Sequence, residues 1–492
     1  MMLYVRMLFM MFLGLFTSRI VLAALGETDY GVYNVVGGVV SMFAIISGTL
    51  NASVSRFITF ELGKGEDAQL RKVYSTAVTI QLALALLIAV LAEPTGLWFI
   101  ENKMTIPPDR ITAAKWVLHF SILSFVFNLM SVPQMAAITA HERMEAYSLI
   151  GILDGLLRFS TALLIRYSSS DRLILYSALM CLSVLLVRIA YGWYCRSHFP
   201  ECRFQFVSDG RLFKEMFSFA GWNFIGVTAG VLRDHGGNIL VNLFSNPIVN
   251  AARGLALQLS GAIQGFVTNF MTAVNPQITK SYASGDIDYM LSLVMKSSRM
   301  SYYLLLVIFV PVFANCSYLL DLWLDDVPET MESFAKLFMI LSLSECLSNP
   351  LVTAALATGK IRNYQIIVGG LVMLNLPVSY LLLKAGAPPE VTVVVAIVIS
   401  QICMFARLLV LKGMIGFPVG RFLKKVYLNV LAVTALALCF LPVLSHDSMN
   451  FGEFLLNVIL CIVMTSLLIL FVGCTRSERS EMIAFIRNRV RK

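Results

Sequence analysis

The sequence contains few charged residues and few polar stretches long enough to form a soluble domain. Only 14% of its 492 residues are Asp, Glu, Lys or Arg, whereas 58% are apolar, and the mean hydropathy is +0.78. A soluble fold of this composition would expose too much apolar surface to stay in solution. The composition therefore indicates a polytopic membrane protein.

Motifs for enzymatic chemistry are also missing. The sequence has no Walker-type nucleotide loop, and its short polar links hold no carboxylate pair placed for glycosyl transfer. Nine cysteines form no paired framework, and the spacing of Cys195, His198 and Cys202 matches no known zinc site. We therefore expect no disulfide, catalytic residue, metal or cofactor.

The chain is basic, with a formal charge of +9 and a pI near 9.1. Cytoplasmic loops of membrane proteins carry excess Lys and Arg and face anionic lipid headgroups. This explanation is sufficient, so we expect no nucleic-acid partner.

Fourteen apolar stretches occupy most of the chain, and each is long enough to cross a bilayer as a helix of about 20 residues. They lack the alternation of a membrane β-barrel. The fold class is therefore all-α polytopic. The predicted spans are 3–25, 32–54, 73–92, 112–135, 146–167, 172–194, 216–243, 248–273, 300–322, 333–357, 363–383, 391–411, 426–444 and 454–473.

The polar links group these helices as six, six and two. We predict an N-terminal lobe over 1–195, a cytoplasmic linker over 196–214, and a C-terminal lobe over 215–412. A helix pair over 413–475 and a basic cytoplasmic tail over 476–492 complete the chain.

The orientation of the chain in the membrane follows from which loops are rich in Lys and Arg, because such loops stay on the cytoplasmic side. Alternate links are basic, namely Lys64 to Lys72, Arg143, Arg196 to Lys214, Lys280 to Arg299, Lys360 to Arg362, Lys412 to Lys425, and Arg476 to Lys492. The other links are acidic or nearly neutral: Glu27 and Asp29, Ser245 to Pro247, Asp325 to Glu329, and His446 to Glu453. Both termini are then cytoplasmic, although Lys103 with Arg110 and Arg166 with Arg172 blur the pattern.

An internal duplication is also indicated, as is common in transporters. A shift of about 220 residues aligns the ends of the second helices of the two lobes. The aligned residues are Val54, Ile58, Thr59, Gly65 and Glu66 over Val274, Ile278, Thr279, Gly285 and Asp286.

Ionisable residues inside the predicted spans are mostly cationic. Such groups are costly in hydrocarbon and normally face a wet cavity or a partner. The cationic or potentially cationic set is Arg19, Arg158, Arg233, His235, Arg253 and Arg407, and the acidic set is Asp154, Asp234 and Glu345. A cavity with this lining would attract anions, because arginine presents a fork of donors suited to phosphate or carboxylate oxygens.

Each of these residues also has a structural explanation. Arg158 is one turn from Asp154 and so fits an ion pair as well as a substrate contact, and Arg19 and Arg253 fit snorkelling near the ends of their spans. The run from Arg233 to Gly237 interrupts the middle of a long apolar segment. We interpret this run as functional, with its glycines marking a broken or bending helix.

Two polar stripes follow helical spacing. One contains Gln264, Thr268 and Thr272, and the other contains Ser47, Asn51 and Ser55. These hydroxyl and amide groups suit sugar recognition, and they equally suit hydrogen bonding between helices beside small residues.

Several segments resemble bacterial polysaccharide flippases of the Wzx type, which export O-antigen and capsule precursors. The matching segments are Thr17 to Arg19, Leu25 with Gly26, Asp29 to Gly38, Ser55 to Phe57, Ala140 to Met144, and Asn250 to Gly254. The resemblance covers nearly the whole chain. It places the chain in the superfamily of multidrug, oligosaccharidyl-lipid and polysaccharide exporters, whose two six-helix lobes form a V-shaped cavity.

The resemblance implies alternating-access translocation of undecaprenyl-pyrophosphate-linked oligosaccharide across the bacterial inner membrane, driven by an H+ or Na+ gradient. A polysaccharide polymerase and other proteins of the same pathway would be its partners. Arg19, Arg233 and Arg253 are candidates for the pyrophosphate, with Arg158, Gln264 and Asn51 as further substrate contacts. The candidates for ion coupling or gating are Asp234, His235 and Glu345.

Two alternatives remain open. A lipid II flippase or small-molecule antiporter of the same superfamily would share the architecture and differ in cargo. A membrane polymerase or ligase of the same pathway would need a larger outer loop than the sequence contains.

Overall fold

A computed structural model describes residues 2–41, 44–102, 104, 106–168, 171–205, 209–324, 327–440, 450–475 and 478–480. Among these residues the chain is almost entirely helical and contains no β-strand. Lys103, Asp325, Asp326, His446 and Asp447 lie outside the described residues, as does most of the predicted tail. The structure therefore bears out the all-α class.

Sixteen helices within these ranges position the polar groups discussed below. They are α1 Met2–Ser41, α2 Ala44–Lys64, α3 Asp67–Asn102, α4 Ile111–Ala140, α5 Met144–Arg166, α6 Arg172–His198, α7 Gly210–Phe244 and α8 Pro247–Ala283 in the first part of the chain. They continue as α9 Ile287–Ala314, α10 Cys316–Trp323, α11 Met331–Cys346, α12 Asn349–Ala357, α13 Arg362–Lys384, α14 Val391–Ile415, α15 Val419–Cys439 and α16 Phe451–Gly473.

Within the described residues, eleven helical segments are long and apolar enough to cross a membrane. The chain is therefore a multi-pass membrane protein. Helices α2, α7 and α8 are of sufficient length but are not among the eleven, because polar and charged residues interrupt their apolar runs. Two of these three helices carry most of the polar groups that the sequence analysis singled out.

One predicted boundary agrees with the structure and one differs. The first predicted span, 3–25, ends where the helix is interrupted at Gly26, whose φ of +77° and ψ of +169° are not helical, and the residues after Gly26 are helical again. The predicted span 300–322 is interrupted at Asn315, between α9 and α10. Pro311 removes one backbone donor from the last turn of α9, and the Asn315 side chain donates to the Pro311 carbonyl over 2.8 Å.

The chain divides into two compact units. Unit 1 comprises residues 1–227 and 279–285, and unit 2 comprises residues 228–278 and 286–492. Helix α7 therefore begins in unit 1 and ends in unit 2, and the last residues of α8 return to unit 1. The arginines and acids in the second half of α7 and at the start of α8 belong to unit 2.

Three predicted outer connections of unit 1 meet at Arg110. Its guanidinium donates to Asp29 over 2.5 Å and to Asp171 over 2.7 Å. Asp171 also caps α6, and Arg172 donates to the Ala24 carbonyl over 3.0 Å. Arg110 is therefore paired with two carboxylates, and the three connections contact one another at one end of unit 1.

Predicted cytoplasmic connections of unit 1 are likewise joined to one another. His141 lies 2.5 Å from a carboxylate oxygen of Glu201, and Phe199 stacks on the imidazole with ring centroids 4.1 Å apart. Glu142 accepts from Lys280 over 2.7 Å. The connections therefore fall into two sets, as alternating membrane crossings require.

The matched glycines of the two halves have the same conformation. Gly65 and Gly285 follow α2 and α8 with φ of +76° and +81°, a region that favours glycine. The next residues are Glu66 and Asp286, and Asp286 caps α9 by accepting from the Tyr289 amide. This shared helix ending supports the internal duplication.

The last two helices pack on α9 within unit 2. Tyr302 lies 2.8 Å from the Thr434 hydroxyl on α15, and Asn315 donates to Asn457 on α16 over 3.3 Å. The hydroxyl of Tyr303 reaches the Gly473 carbonyl over 3.3 Å. A side chain at Gly473 would collide with the Tyr303 ring, which explains the glycine at this contact.

The His141–Glu201 pair should make unit 1 sensitive to acid. Burial alone would raise the pKa of Glu201, yet the hydrogen bond from His141 and a backbone bond hold that pKa below its ordinary value. Stabilisation from a depressed carboxyl pKa is present above the unfolded pKa of about 4.3 and is lost as pH falls through the folded value. Glu201→Gln should therefore lower the melting temperature at pH 7 by several degrees, corresponding to about 1–3 kcal/mol.

Thermal unfolding of the purified protein between pH 3 and pH 7 measures this effect. The difference between Glu201→Gln and the unaltered protein should shrink at acidic pH. Glu215→Gln is the control, because Glu215 is exposed and pairs with Arg211 at the surface. An equal loss in both variants, or a loss independent of pH, would contradict the assignment.

Candidate functional site

Arg233 forms the centre of a charged cluster in the middle of α7. Its Nε donates to Asp234 over 2.9 Å, and a further hydrogen bond runs from Nη1 to Glu345 on α11. The Arg233 side chain is only 18% exposed. A guanidinium at this depth needs anionic partners, and the two carboxylates supply them. The structure thus brings together three of the predicted site residues.

Arg253 extends this cluster from α8. It is 3% exposed, its Nη1 donates to the Asp234 carbonyl over 3.1 Å, and it also donates to Asn238. Its guanidinium lies 5.3 Å from the centre of the Phe338 ring. Its Nε has no hydrogen-bond partner among the described residues. Arg253 is therefore buried between helices, which does not fit a side chain that snorkels to the membrane surface.

The glycines of α7 permit this close packing. Helix α7 is continuous from Gly210 to Phe244, so the interpretation of Gly236 and Gly237 as a helix break is wrong. A Cβ at Gly237 would overlap the Arg253 guanidinium, and a Cβ at Gly236 would lie 2.7 Å from Leu376. The glycines serve close approach of neighbouring side chains, whereas the helical hydrogen bonds are retained.

The ionised cluster is electrically balanced. Arg233 and Arg253 contribute two positive charges, and Asp234 and Glu345 contribute two negative charges. Protonation of either carboxylate would leave one guanidinium charge unbalanced, and an anionic ligand could then bind it. An anionic ligand could also displace a carboxylate from its guanidinium directly. The arrangement can therefore exchange a protein carboxylate for a ligand oxyanion.

A polar layer continues from this cluster along α8 and α11. Gln264 donates to the Ser342 hydroxyl over 3.0 Å, and Ser260 lies 2.8 Å from the same oxygen. Thr268 and Thr272 instead donate to carbonyls one turn earlier in α8. Of the predicted stripe, Gln264 thus takes part in helix-to-helix contact, while the threonine hydroxyls are used within their own helix.

Unit 1 holds a second candidate site around Arg158. Its guanidinium donates to Asp154 over 2.9 Å, so the ion pair considered from the sequence is present. Arg158 also lines a cavity of about 220 Å³. Polar and aromatic side chains share this lining, among them Tyr33, Ser121, Ser124, Asn128 and Ser177. Such a lining suits a polar ligand with hydroxyl groups.

Three predicted residues lie apart from these contacts. Arg19 is exposed on α1, and His235 is exposed on α7 next to the charged cluster. Asn51 is half-buried on α2. None of the three makes a hydrogen bond or ion pair among the described residues.

Two residues of the unit 2 cluster were missed by sequence analysis. Asn238 follows Asp234 by one helical turn, so extending the Arg233 motif by that turn would have found it. Ser342 is a small polar residue in an apolar helix, and nothing in the surrounding sequence predicts its contact with α8. Its role depends on the packing of α11 against α8.

The fold is that of a polytopic, all-helical membrane protein, and several solved transporter structures share it. A crystal structure of a MATE protein in complex with MaD3S superposes with a TM-score of 0.72 and 9% identity, covering 86% of this chain and 96% of that chain. An outward-facing multidrug resistance transporter of the MATE family and MOP superfamily superposes with a TM-score of 0.72 and 10% identity, covering 83% of this chain and 93% of that chain.

A MOP superfamily transporter from Pyrococcus furiosus Vc1 is similar to the same extent. Its TM-score is 0.72 at 10% identity, over 86% of this chain and 95% of that chain. No curated protein sequence gives a significant match. The chain belongs to the polysaccharide biosynthesis protein family, whose model matches residues 2–282.

Proposed function

We propose that this protein is a flippase that moves undecaprenyl-pyrophosphate-linked oligosaccharide repeat units across the bacterial inner membrane for surface polysaccharide synthesis. The observation that carries the proposal is the partly buried Arg233 cluster in a member of the polysaccharide biosynthesis family. A pyrophosphate must lose its hydration within the membrane, and arginine supplies the paired donors that replace water.

The proposed architecture has fourteen membrane-spanning helices. Two six-helix lobes, over 1–195 and 215–412, alternate in exposing the site to the two membrane faces, with 196–214 as the cytoplasmic linker. The pair over 413–475 supports the second lobe, and 476–492 forms a basic tail. Both termini are cytoplasmic. The MATE-like fold and the two sets of joined connections in unit 1 support this arrangement.

In the proposed mechanism, carboxylates occupy Arg233 until the substrate arrives. Glu345 and Asp234 hold the guanidinium in the empty site. The pyrophosphate oxygens displace these carboxylates from Arg233. H+ or Na+ then binds the displaced carboxylates, so that no unpaired negative charge is left within the membrane. Release of that ion restores the carboxylate pairs and expels the substrate. His235, exposed beside the cluster on α7, participates in proton transfer or gating.

The other candidate residues have supporting roles in this proposal. Arg253 fixes α7 and α8 around the cluster, and its unpaired Nε is a donor for the pyrophosphate. Arg158 and its cavity bind part of the oligosaccharide, as do Gln264 and Asn51 through their amide groups. Arg19 attracts the headgroup from its exposed position.

Another exporter of the superfamily is the main alternative. The Pyrococcus furiosus transporter has a binding pocket of reverse polarity, which suggests a different function for that protein. The sign of the interior charges therefore bears on cargo within this fold. Arginines at the centre of the present cluster favour an anionic cargo over the organic cations of a multidrug antiporter, and lipid II remains an anionic alternative. A polymerase or ligase would act on repeat units at the outer face.

Leaflet-resolved measurement of lipid-linked oligosaccharide after depletion of this protein tests the proposal. Loss of flipping should cause repeat units to accumulate on the cytoplasmic face, with outer-face units falling. Re-expression of the protein should restore the outer-face pool.

Two results would contradict the proposal. Accumulation of unpolymerised units on the outer face would indicate the polymerase or ligase alternative. Accumulation of lipid II, with the repeat units unchanged, would indicate lipid II export. Partner proteins of the pathway, such as the polymerase, should remain at normal abundance in the depleted cells, so that the effect is assigned to this chain.

A further inference from the structure

A second, larger cavity lies in unit 1 away from Arg158. It has a volume of about 650 Å³ and opens at the end of α6, beside α3, α4 and the turn after α6. Its lining includes Tyr74, Gln134, Arg188, Gly192, Trp193 and Arg196. The flippase mechanism proposed above makes no use of this cavity.

Two arginines give the cavity an unbalanced positive charge. Arg188 and Arg196 are two turns apart on α6, and none of the lining residues is acidic. Among the described residues, Arg188 makes one hydrogen bond, from Nη1 to the Met130 carbonyl over 2.5 Å. Arg196 is exposed and makes no hydrogen bond or ion pair among them. Like charges in one cavity repel each other, so an anion bound between them would be favoured.

An apolar strip on α6 leads away from this cavity. Leu182, Leu186, Ile189 and Trp193 follow at helical spacing on one face and are 47%, 40%, 55% and 70% exposed. Because α6 is long and apolar enough to cross the membrane, exposed leucine and isoleucine on this face contact hydrocarbon. Trp193 then lies at the level of the headgroups, where tryptophan is enriched.

We propose that this cavity binds the phosphate headgroup of an anionic membrane phospholipid, whose acyl chains lie along the apolar strip of α6. The arginines would contact the phosphate, and the strip would contact the tail. Neither contact alone identifies a lipid, but their continuity matches an amphipathic ligand and does not match a free anion. The proposed orientation of the chain places this lipid in the cytoplasmic leaflet.

Quenching of tryptophan fluorescence by brominated lipids tests the proposal. The full-length protein is reconstituted into phosphatidylcholine vesicles with a small fraction of either brominated phosphatidylglycerol or brominated phosphatidylcholine. The Trp193 contribution is obtained by difference from Trp193→Phe, with Trp116→Phe as a control because Trp116 is 48% exposed on α4. Phosphatidylglycerol should quench Trp193 in preference to phosphatidylcholine.

Charge variants identify the binding groups. The double variant Arg188→Gln/Arg196→Gln should reduce the preference for phosphatidylglycerol by about tenfold or more. Arg211→Gln/Lys214→Gln removes the same charge from exposed positions and should retain the preference. Arg196→Gln alone should cause a partial loss of the preference for phosphatidylglycerol and leaves the Arg188–Met130 contact intact. This single variant keeps the test decisive if the double variant does not fold.

Equal quenching by both lipids would overturn the proposal. So would an equal loss of preference in the double variant and in the surface control, because this would indicate a general charge effect. If inorganic phosphate binds at millimolar concentration, with binding lost in Arg188→Gln/Arg196→Gln, while the two lipids quench Trp193 equally, the cavity is a site for free anions and the lipid assignment is wrong. These outcomes do not depend on transport of oligosaccharide.

Discussion

Arg233→Ala should abolish transport of the lipid-linked oligosaccharide, with a fall of at least about 100-fold in the rate. The substitution removes the donors proposed for the pyrophosphate, and charge-assisted hydrogen bonds of this kind are worth about 1.5–3 kcal/mol each. Arg233→Lys keeps the positive charge but loses the paired donors and should retain part of the activity. Transport is measured as the appearance of repeat units in the outer leaflet, normalised to folded protein in the membrane.

Loss of Arg233 also leaves Asp234 and Glu345 without this cation, which by itself costs about 1–3 kcal/mol of stability, because both carboxylates are partly exposed. The variant Arg233→Gln/Glu345→Gln separates the two effects, because it removes the pair together. We expect this variant to regain folded protein without regaining transport. Restored transport would mean that Arg233 only neutralises Glu345.

Arg407→Gln serves as the matched control. Arg407 is also an arginine within a predicted span, but its donors go to the hydroxyls of Tyr364 and Ser348, each over 3.2 Å. It has no carboxylate partner among the described residues. The variant should keep most of its transport, so an equal loss in Arg407→Gln and Arg233→Gln would argue against a specific anion site.

Much of the fold could be predicted because hydrophobic length and loop charge act locally. The helical class follows from apolar runs matched to the bilayer, and the shared endings at Gly65 and Gly285 follow from one sequence pattern. The loop charges left the membrane side of the Arg110 connection ambiguous, because the net charge around Arg110 depends on residues that are distant in sequence. Asp29 and Asp171 neutralise it, and only the folded chain shows that these residues meet.

The candidate site was predictable only to the level of its motif. Arg233 and Asp234 are neighbours in sequence and interrupt an apolar run, so the motif was evident. Glu345 lies on another helix, and no spacing rule connects it to Arg233. The burial of Arg253 was equally unpredictable, because the same residue near the end of a span fits either snorkelling or packing between helices.

Gly237→Ala should destabilise unit 2 by about 2–4 kcal/mol, although alanine is the better helix former by about 1 kcal/mol. The new Cβ would occupy the position of the Arg253 guanidinium. Arg253 is only 3% exposed, so a displaced guanidinium would disturb the packing between α7 and α8. Its hydrogen bonds to Asn238 and the Asp234 carbonyl should be lost, and the melting temperature of the purified protein should fall.

A double-mutant cycle tests this cause directly. In an Arg253→Ala background the obstructing guanidinium is absent, so Gly237→Ala should become neutral or stabilising by up to about 1 kcal/mol through helix propensity. Gly230→Ala is the control on the same helix, because a Cβ there meets nothing within 4 Å. If the costs of Gly237→Ala and Arg253→Ala simply add, the glycine is not there to admit Arg253. A reversal of sign would establish that Gly237 admits the buried Arg253 guanidinium, which joins α8 to α7 beside Arg233.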